Sequence, residues 1–277
     1  MKAWLNGRIV SLDDARVSVL DHGLVVGDGV FETLRVYGGV PFAWRRHYER
    51  LCVSAGGLGL AVPASDALRA AADKVLAAND LAEARLRVTI TGGIAPLGSE
   101  RSDVEPTLIV AASAVSVWAP TVSVVTVPWR RNERGATAGL KTISYADNVR
   151  ALAWAAEHDA GEAIFLNTRD ELCEATGSNV FIVRDGVVQT PPASAGCLLG
   201  VTRSLLLELC TAEGIPATDS TLPGDALAHA DEAFLTSTTR EVHPIDRADG
   251  RTLDAPGPIT RRLADLFADL VVRDLDP

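Results

Sequence analysis

Lysine is scarce in this chain of 277 residues: it occurs only at Lys2, Lys74 and Lys141, although lysine and arginine together number 26. An amine that does covalent chemistry therefore has three possible positions. Lys2 lies near the start, and Lys74 falls in an alanine-rich stretch of helical period, where a lysine usually solvates the outer face. Lys141 instead precedes a Thr-Ile-Ser-Tyr run that favours a short β-segment. If Lys141 is desolvated there, its neutral amine is favoured and can act as a nucleophile or form a Schiff base. The alternative is that Lys141 only extends its amine to solvent from a strand edge.

Close cysteine pairs, basic runs and long apolar runs are also missing. The four cysteines show no CxxC spacing, which indicates free thiols rather than a disulfide framework or a zinc site, and we expect no metal. A formal net charge of −10 argues against a nucleic-acid or anionic-membrane partner, because phosphate contacts need a basic face. No stretch approaches the ~20 apolar residues of a membrane span, and the chain start has no apolar core of signal-peptide length. We therefore expect a cytoplasmic protein.

Hydrophobic periodicity predicts a mixed α/β (α+β) fold in two domains. Hydrophobic residues make up 47% of the chain, enough for a substantial core. Around Ala119-Pro120 the pattern breaks and short strands become frequent, so we expect a small N-terminal α/β domain over residues 1–118 and a larger C-terminal domain over residues 119–277 that carries Lys141. The main predicted helices cover residues 44–60, 65–79, 146–160, 202–213 and 260–272. Predicted strands include a hairpin over 3–10 and segments 16–20, 30–37, 83–91, 106–115, 122–127, 163–166, 172–175, 180–184, 187–190, 234–236 and 241–245.

Two features have the character of an anion site. Gly200-Val201-Thr202 opens a predicted helix, where backbone amides and the helix dipole favour negative charge. Residues 236–239 offer four hydroxyls in a row at a predicted strand end. Each alone is more often a helix cap or a turn. Pyridoxal phosphate, however, requires a lysine for its aldehyde, an anion site for its phosphate and an acid for its ring nitrogen, and Glu174 is the candidate acid.

Six motifs, in the same order, resemble those of the fold-type IV (class IV) pyridoxal-phosphate enzymes. This family includes branched-chain aminotransferases, D-amino-acid aminotransferases and aminodeoxychorismate lyases. The resemblance covers nearly the whole chain, and together the motifs are specific. They are residues 27–35 (GDGVFETLR), 47–51 (HYERL), 141–145 (KTISY), 174–181 (EATGSNVF), 200–203 (GVTR) and 236–238 (TST).

The resemblance implies a role for each matching residue. Lys141 corresponds to the lysine that forms a Schiff base with the cofactor and then acts as the general base, Arg50 to the arginine that grips the phosphate, and Glu174 to the carboxylate at the pyridine nitrogen. The other implied cofactor contacts are Tyr145, Gly177, Ser178, Asn179, Val201, Thr202, Ser237 and Thr238.

The same resemblance implies a homodimer whose active site is completed by the partner subunit. The expected reaction is transfer of an amino group between a D-amino acid or branched-chain L-amino acid and a 2-keto acid. The alternative is a 4-amino-4-deoxychorismate lyase that releases pyruvate and 4-aminobenzoate, because both reactions use the same cofactor residues.

The substrate residues depart from the family's patterns. Phe31 stands where D-amino-acid aminotransferases commonly have a tyrosine, and Gly92-Gly93-Ile94 stands where they have an Arg-x-His pair. Aminodeoxychorismate lyases often have an arginine at the position that Gly92 occupies here. We expect Phe31 to contact the substrate and hypothesise that Arg240 binds its carboxylate. Arg35 and Arg130 are alternatives, and each arginine could instead form a surface ion pair.

Two further features bear on the site. The loop from Gly92 to Asp103 is long enough to act as a lid or binding loop.

Ser237, His243 and Asp246 could be read as a hydrolase triad, but they fall within ten residues and no Gly-x-Ser-x-Gly elbow is present, which disfavours that class.

Overall fold

The computed structural model describes residues 1–101 and 103–277 and divides into two compact units. The first unit comprises Met1–Ser116, Leu140–Ser144 and Asp274–Pro277, and the second comprises Val117–Gly139 and Tyr145–Arg273. The predicted domains were continuous, whereas these units are not. The segment Leu140–Ser144, which contains Lys141, belongs to the first unit.

The first unit is built on a six-stranded antiparallel sheet with strand order β2-β1-β6-β5-β3-β4. Three helices accompany the sheet. The strands are β1 (Lys2–Leu5), β2 (Arg8–Ser11), β3 (Gly29–Tyr37), β4 (Val40–Pro41), β5 (Ala84–Thr91) and β6 (Thr107–Ser113), and the helices are α1 (His22–Val25), α2 (Trp44–Leu58) and α3 (Ser65–Asn79).

Alternation along β3 separates the two faces of this sheet. Val30, Leu34 and Val36 are buried in the core that α2 and α3 cover. Glu32 has the same parity as these residues and is only 1% exposed, so a carboxylate lies on the core side of the strand. Phe31 points to the opposite face.

The predicted strand over residues 16–20 is wrong. This segment is irregular and is followed by the short helix α1, whose first turn is capped by Asp21: its Oδ1 accepts from the Gly23 amide at 2.8 Å. Val17 and Val19 are 41% and 77% exposed, so their alternation marks surface residues and not a half-buried strand. Backbone bonds from His22 N to Gly93 O and from Ala95 N to Leu20 O join the segment to the loop after β5.

The second unit is built on a nine-stranded mixed sheet with order β12-β11-β10-β13-β14-β7-β8-β9, in which β15 pairs with β14. The pairs β11–β12, β14–β7 and β7–β8 are parallel, and the others are antiparallel. The strands are β7 (Val122–Arg131), β8 (Glu162–Asn167), β9 (Leu172–Ala175), β10 (Asn179–Arg184), β11 (Val187–Thr190), β12 (Ala217–Asp219), β13 (Glu232–Ser237), β14 (Glu241–Ala248) and β15 (Arg251–Thr252), and the helices are α4 (Ala146–Glu157), α5 (Val201–Ala212) and α6 (Pro258–Arg273).

Both units therefore combine helices with a sheet, which confirms the mixed α/β fold class. In the described part of the chain, no helix is both long and apolar enough to cross a membrane.

Candidate active site

The segment that carries Lys141 is paired with strand β3 of the first unit. Phe31 N donates to Lys141 O at 3.0 Å, Ile143 N donates to Gly29 O at 2.9 Å, and the Lys141 amide donates to Ser54 Oγ on α2 at 3.0 Å. The backbone of Lys141 is therefore fixed on both sides. Its Nζ lies 4.5 Å from the centroid of the Phe31 ring, so the amine lies against an aromatic face as an ammonium–π pair does.

Arg50, on α2 of the same unit, is held by the buried carboxylate of Glu32. Arg50 Nε donates to Glu32 Oε1 at 2.7 Å and Nη2 donates to Oε2 at 2.8 Å. His47, one turn earlier, donates from Nδ1 to Oε2 at 2.7 Å. Burial alone would raise the pKa of Glu32, but the charge and hydrogen bonds of Arg50, together with His47, hold that pKa well below its ordinary value.

The surroundings of His47 lower its pKa, which favours the neutral imidazole. Burial lowers its pKa, Glu32 opposes that shift, and the positive charges of Arg50 and Lys141 reinforce it. The cluster thus holds one carboxylate against the guanidinium of Arg50, and a neutral imidazole completes its hydrogen bonding. The family motif indicated Arg50, whereas Glu32 and His47 were not singled out as functional residues from the sequence.

Phe31, a predicted substrate residue, is covered by a second cation that sequence reasoning missed. Arg87 on β5 lies with its guanidinium carbon 3.6 Å from the Phe31 ring centroid. Strand register explains this position: Arg87 is opposite Thr33, two residues along from Phe31 on the same face. Arg87 is exposed and also donates from Nε to Thr89 Oγ1 at 3.1 Å. The face of β3 and β5 that carries Phe31 therefore presents both a lysine amine and a guanidinium.

Glu174 lies on β9 of the second unit, where two groups fix its carboxylate. Leu198 N donates to Oε2 at 3.0 Å, and Arg131 Nε lies 3.4 Å from Oε1. The Glu174 side chain is 15% exposed and the Arg131 side chain 20% exposed. An ionised carboxylate is a hydrogen-bond acceptor at both of its oxygens.

The loop after Glu174 is tied to the start of α5 through Asn179. Asn179 Oδ1 accepts from Gly200 N at 3.1 Å, and Nδ2 donates to Leu198 O at 2.6 Å. A Cβ on Gly177 would meet no described atom within 4 Å, so open space lies beside this loop. Helix α5 then begins at Val201, and no described side chain caps it.

Two hydroxyl groups near this junction are buried without a hydrogen-bond partner among the described residues: Ser178 Oγ and Thr236 Oγ1. Their residues are 7% and 1% exposed, and Thr236 is paired across the strands with Asn179. Buried hydroxyls without a protein partner and an uncapped helix start are each suited to bind an anion.

The other predicted residues of the second unit lie at the start of α5, at the end of β13 and just before α4. Thr202 is buried in the first turn of α5, while Ser237 ends β13 and its Oγ accepts from Arg240 N at 3.2 Å. Thr238 follows in the turn between β13 and β14, and Tyr145 precedes α4, where its carbonyl accepts from Val149 N at 2.9 Å.

Arg240 is already committed to partners within the second unit. Its Nη2 donates to Glu162 Oε2 at 3.2 Å, its Nη1 donates to His243 Nδ1 at 2.8 Å, and its guanidinium lies 3.9 Å from the Trp118 ring centroid. The side chain is 7% exposed. These contacts favour a structural role and weigh against the hypothesis that Arg240 binds a substrate carboxylate.

The hydrolase arrangement is also disfavoured by the partners of His243. Its Nε2 donates to Ala119 O at 2.8 Å while Nδ1 accepts from Arg240, so both ring nitrogens are engaged away from Ser237. Asp246 instead accepts from Thr121 Oγ1 at 2.5 Å.

The two other candidate arginines for the substrate carboxylate also have partners: Arg35 pairs with Glu83 and Arg130 with Asp170, as surface ion pairs do.

The described part of the loop from Gly92 to Asp103 is held by Arg101; Ser102 lies outside the described residues. Arg101 Nε donates to Asp28 Oδ2 at 2.7 Å, and its Nη1 donates to the carbonyl of Leu58 at the end of α2. A Cβ on Gly92 would collide with the Asp28 carboxylate, so an arginine at position 92 requires Asp28 to move. Burial alone would raise the pKa of the Asp28 carboxyl, but the hydrogen bond from Arg101 and the positive charge of Arg101 lower it.

The buried thiols do not contribute a nucleophile. Burial raises the pKa of Cys197 to about 12 and that of Cys210 to about 11, and Cys173 is shifted upward more strongly. Thiols in this state are inert because the reactive form is the thiolate. Cys173, beside Glu174, is therefore a packing residue.

Comparison with known proteins agrees with this geometry. Residues 29–248 match the family model described as amino-transferase class IV. The chain is 35% identical, over 98% of its length and 96% of the relative's, to a Methanocaldococcus jannaschii protein provisionally named as a branched-chain-amino-acid aminotransferase. It is 33% identical to a D-alanine aminotransferase of Listeria innocua, over 99% of this chain and 97% of that one.

Its fold is similar to the crystal structure of a branched-chain aminotransferase from Thermoproteus uzoniensis with norvaline. The TM-score is 0.92 at 32% identity, with 99% of this chain and 95% of that chain covered. The similarity extends over both units, so it applies to the whole chain and not to one motif. The chain belongs to the class IV aminotransferase family, as its six motifs predicted.

Proposed function

We propose that this protein is a pyridoxal-phosphate-dependent transaminase that moves an amino group between an amino acid, either D or branched-chain L, and a 2-keto acid. The observation that carries the proposal is the setting of Lys141. Its backbone makes two hydrogen bonds, one to Phe31 on β3 and one to Ser54 on α2, and its amine lies against the ring of Phe31. A lysine held in this way is positioned to bond covalently to a carbonyl group.

The residues of each unit fit the cofactor's chemical groups. The first unit offers the Lys141 amine and the guanidinium of Arg50, which suits a phosphate. The second offers the carboxylate of Glu174 for the ring nitrogen and, for the phosphate, the start of α5 with the two unpartnered hydroxyls of Ser178 and Thr236. Each unit, taken by itself, therefore carries groups that suit part of the cofactor's chemistry.

The proposed cofactor contacts are those that the family motifs imply. When bound, pyridoxal phosphate supplies an electron sink for the bonds at the substrate's Cα. The residues that would hold it are Lys141, Arg50, Tyr145, Glu174, Gly177, Ser178, Asn179, Val201, Thr202, Ser237 and Thr238.

The side chains of the first unit then divide the work. Lys141, once released, takes the proton from the substrate's Cα and returns it, as a general base and acid does. Glu32 keeps the Arg50 guanidinium in one orientation, and neutral His47 adds no charge that would compete with the lysine. Arg87, exposed above Phe31, is our candidate for the residue that binds a substrate carboxylate, because a guanidinium pairs with a carboxylate through two donors.

A single-turnover absorbance experiment tests the proposal. The cofactor-loaded protein is mixed separately with D-alanine, L-leucine and aminodeoxychorismate, without a keto acid. Loss of the cofactor's visible absorbance with an amino acid, and its return on adding pyruvate, identifies a transaminase and shows the configuration of the donor. If only aminodeoxychorismate reacts, with release of pyruvate and no lasting spectral change, the lyase alternative is correct and the transaminase proposal fails.

We propose that residues 1–118 and 119–277 are the two domains of the chain. We also propose that the protein is a homodimer with an active site completed by the partner. Exposed apolar side chains support an interface in the first unit: Val19, Leu24 and Leu97 are 77%, 69% and 73% exposed, and their segments are joined by backbone bonds. Exposed apolar surface is a common feature of protein–protein interaction sites. Light scattering coupled to gel filtration measures the mass in solution, and a monomer mass would contradict the dimer.

A further inference from the structure

Arg131 lies beside Glu174 because three strands of the second unit bring the two residues to one face. Phe165 on β8 is directly opposite Glu174 on β9, and Arg131 at the end of β7 is opposite Asn167, two residues along β8 from Phe165. Side chains that are two residues apart share a face of the sheet. The guanidinium carbon of Arg131 accordingly lies 4.2 Å from the Phe165 ring centroid.

A second contact holds Arg131 independently of Glu174. Arg131 Nη1 donates to Asn148 Oδ1 at 3.2 Å, and Asn148, on α4, is only 8% exposed. Asn148 Nδ2 donates in turn to the carbonyl of Thr176, two residues beyond Glu174. The guanidinium is therefore tied to a helix and, through Asn148, to the loop that follows the carboxylate.

The contact between Arg131 and Glu174 is a charge contact without hydrogen-bond geometry. Arg131 Nε lies 3.4 Å from Glu174 Oε1, yet it is buried and makes no hydrogen bond to any described residue. The other oxygen, Oε2, accepts from Leu198 N. A guanidinium at this distance stabilises the ionised carboxylate, and the amide bond fixes its rotation.

We propose that Arg131 is a positioning residue for Glu174: it keeps the carboxylate ionised and oriented, so that the proton shared with a bound cofactor's pyridine nitrogen stays on the nitrogen. This inference rests on the proposed function, because it assumes that Glu174 faces that nitrogen. The physical reason is that a neighbouring positive charge makes the carboxylate a weaker base. Without that charge the proton moves toward the Glu174 oxygen, and the ring becomes a poorer electron sink.

The test uses the full-length protein loaded with pyridoxal phosphate labelled with 15N in its ring. In the wild type, the 15N signal is expected near that of a protonated pyridine. Arg131→Gln removes the charge and should move the signal toward the value of neutral pyridine, whereas Arg131→Lys keeps a charge and should give an intermediate value. Arg130→Gln is the matched control: Arg130 is the preceding residue, it pairs with Asp170 at 2.7 Å, and its removal should leave the signal unchanged.

Cofactor affinity gives a second readout that does not depend on turnover. Weaker pairing of the ring nitrogen should raise the Kd for the cofactor about tenfold in Arg131→Gln, measured by equilibrium dialysis, and much less in Arg130→Gln. The proposal is overturned if Arg131→Gln and Arg131→Lys both keep the wild-type 15N signal. If Arg131→Gln does not fold, Arg131→Met is the second uncharged variant, and the proposal is overturned if that variant keeps the wild-type signal. A wild-type protein that binds no labelled cofactor refutes the proposed function itself, which is a distinct outcome.

Discussion

Glu32 and Arg50 form a two-point ion pair in which Nε and Nη2 of the arginine donate to the two oxygens of a carboxylate that is 1% exposed. The pair joins the core face of strand β3 to helix α2. A buried carboxylate is tolerated there only because a guanidinium and the imidazole of His47 satisfy it. The guanidinium, 14% exposed, is thereby oriented before any ligand binds.

Replacing Glu32 by glutamine should be strongly destabilising. The change removes the charge that compensates Arg50, and breaking a buried pair by removing one partner costs about 3–5 kcal/mol. Urea unfolding followed by circular dichroism measures the free energy of unfolding. The control is Glu49→Gln on α2, the helix that carries Arg50, since the Glu49–Arg45 pair is exposed and such pairs contribute under about 1 kcal/mol. Equal effects of the two substitutions would contradict the assignment.

The same cluster predicts how stability depends on pH. The pKa of Glu32 is lower in the folded state than its ordinary value of 4.5, so the unfolded chain binds more protons as the pH falls. The contribution of Glu32 is therefore fully present above pH 4.5 and is lost progressively below it. His47 also has a lowered pKa, and its contribution begins to fall below its ordinary value of 6.5.

Unfolding free energies measured from pH 3 to pH 8 should separate these two groups. His47→Gln is expected to lessen the decline that begins below pH 6.5, and Glu32→Gln to lessen the decline that begins below pH 4.5. If both variants keep the full acid decline of the wild type, other carboxylates cause it.

Local sequence signals predicted much of the fold. The helix predicted over residues 65–79 is α3, because its alanines and leucines repeat with helical period and its buried face packs in the core. The helix predicted to end at residue 60 ends at Leu58, where Gly59 adopts a left-handed conformation with φ of 67°. Leu140–Ser144 could not be assigned to its unit, because that choice depends on backbone pairing with Gly29 and Phe31 across more than a hundred residues.

The candidate site likewise contains residues that the sequence predicted and residues that it did not. Lys141 could be found because lysine is scarce, and Glu174 because a family motif surrounds it. Arg87 gave no signal, since an arginine in an alternating strand is typical of a solvent-facing position, and only the β3–β5 register brings it to Phe31. Glu32 did carry a signal: it is a charged residue at a core position of an apolar strand.

Lys141 should be the attachment point of the cofactor. The protein is incubated with pyridoxal phosphate, treated with borohydride, digested and examined by mass spectrometry. Borohydride converts a Schiff base to a stable secondary amine, so the modified peptide should contain Lys141, and Lys141→Ala should yield none. Lys74→Ala is the control and should be labelled like the wild type, because Lys74 lies on the solvent side of α3. Label on Lys74 in the wild type would refute the assignment.

Arg240→Met should reduce stability and leave substrate binding unchanged. The substitution deprives Glu162, which is buried, of its cation, at a cost of about 3–5 kcal/mol in unfolding free energy. The KM values for amino donors should stay within about twofold of the wild type, since a factor of two is under 0.5 kcal/mol. A large rise in KM at unchanged stability would instead support the carboxylate role that the sequence suggested for Arg240.

Arg87→Gln should weaken binding of substrates that carry a carboxylate. Loss of a charge-assisted hydrogen bond costs about 1.5–3 kcal/mol, which corresponds to a rise in KM of about 10- to 100-fold. Stability should change little, because the Arg87 side chain is exposed. Steady-state kinetics with the amino donor and the keto acid give the two KM values.

The control for Arg87 lies in the same strand. Arg85 is also exposed and shares the face of Arg87, but it is opposite Arg35, two positions farther from Phe31. Because two strand residues span about 7 Å, a guanidinium at position 85 is too far along β5 to reach a carboxylate held over Phe31. Arg85→Gln should therefore keep the wild-type KM, and a rise in KM of similar size in both variants would indicate a general effect of surface charge instead of a specific contact.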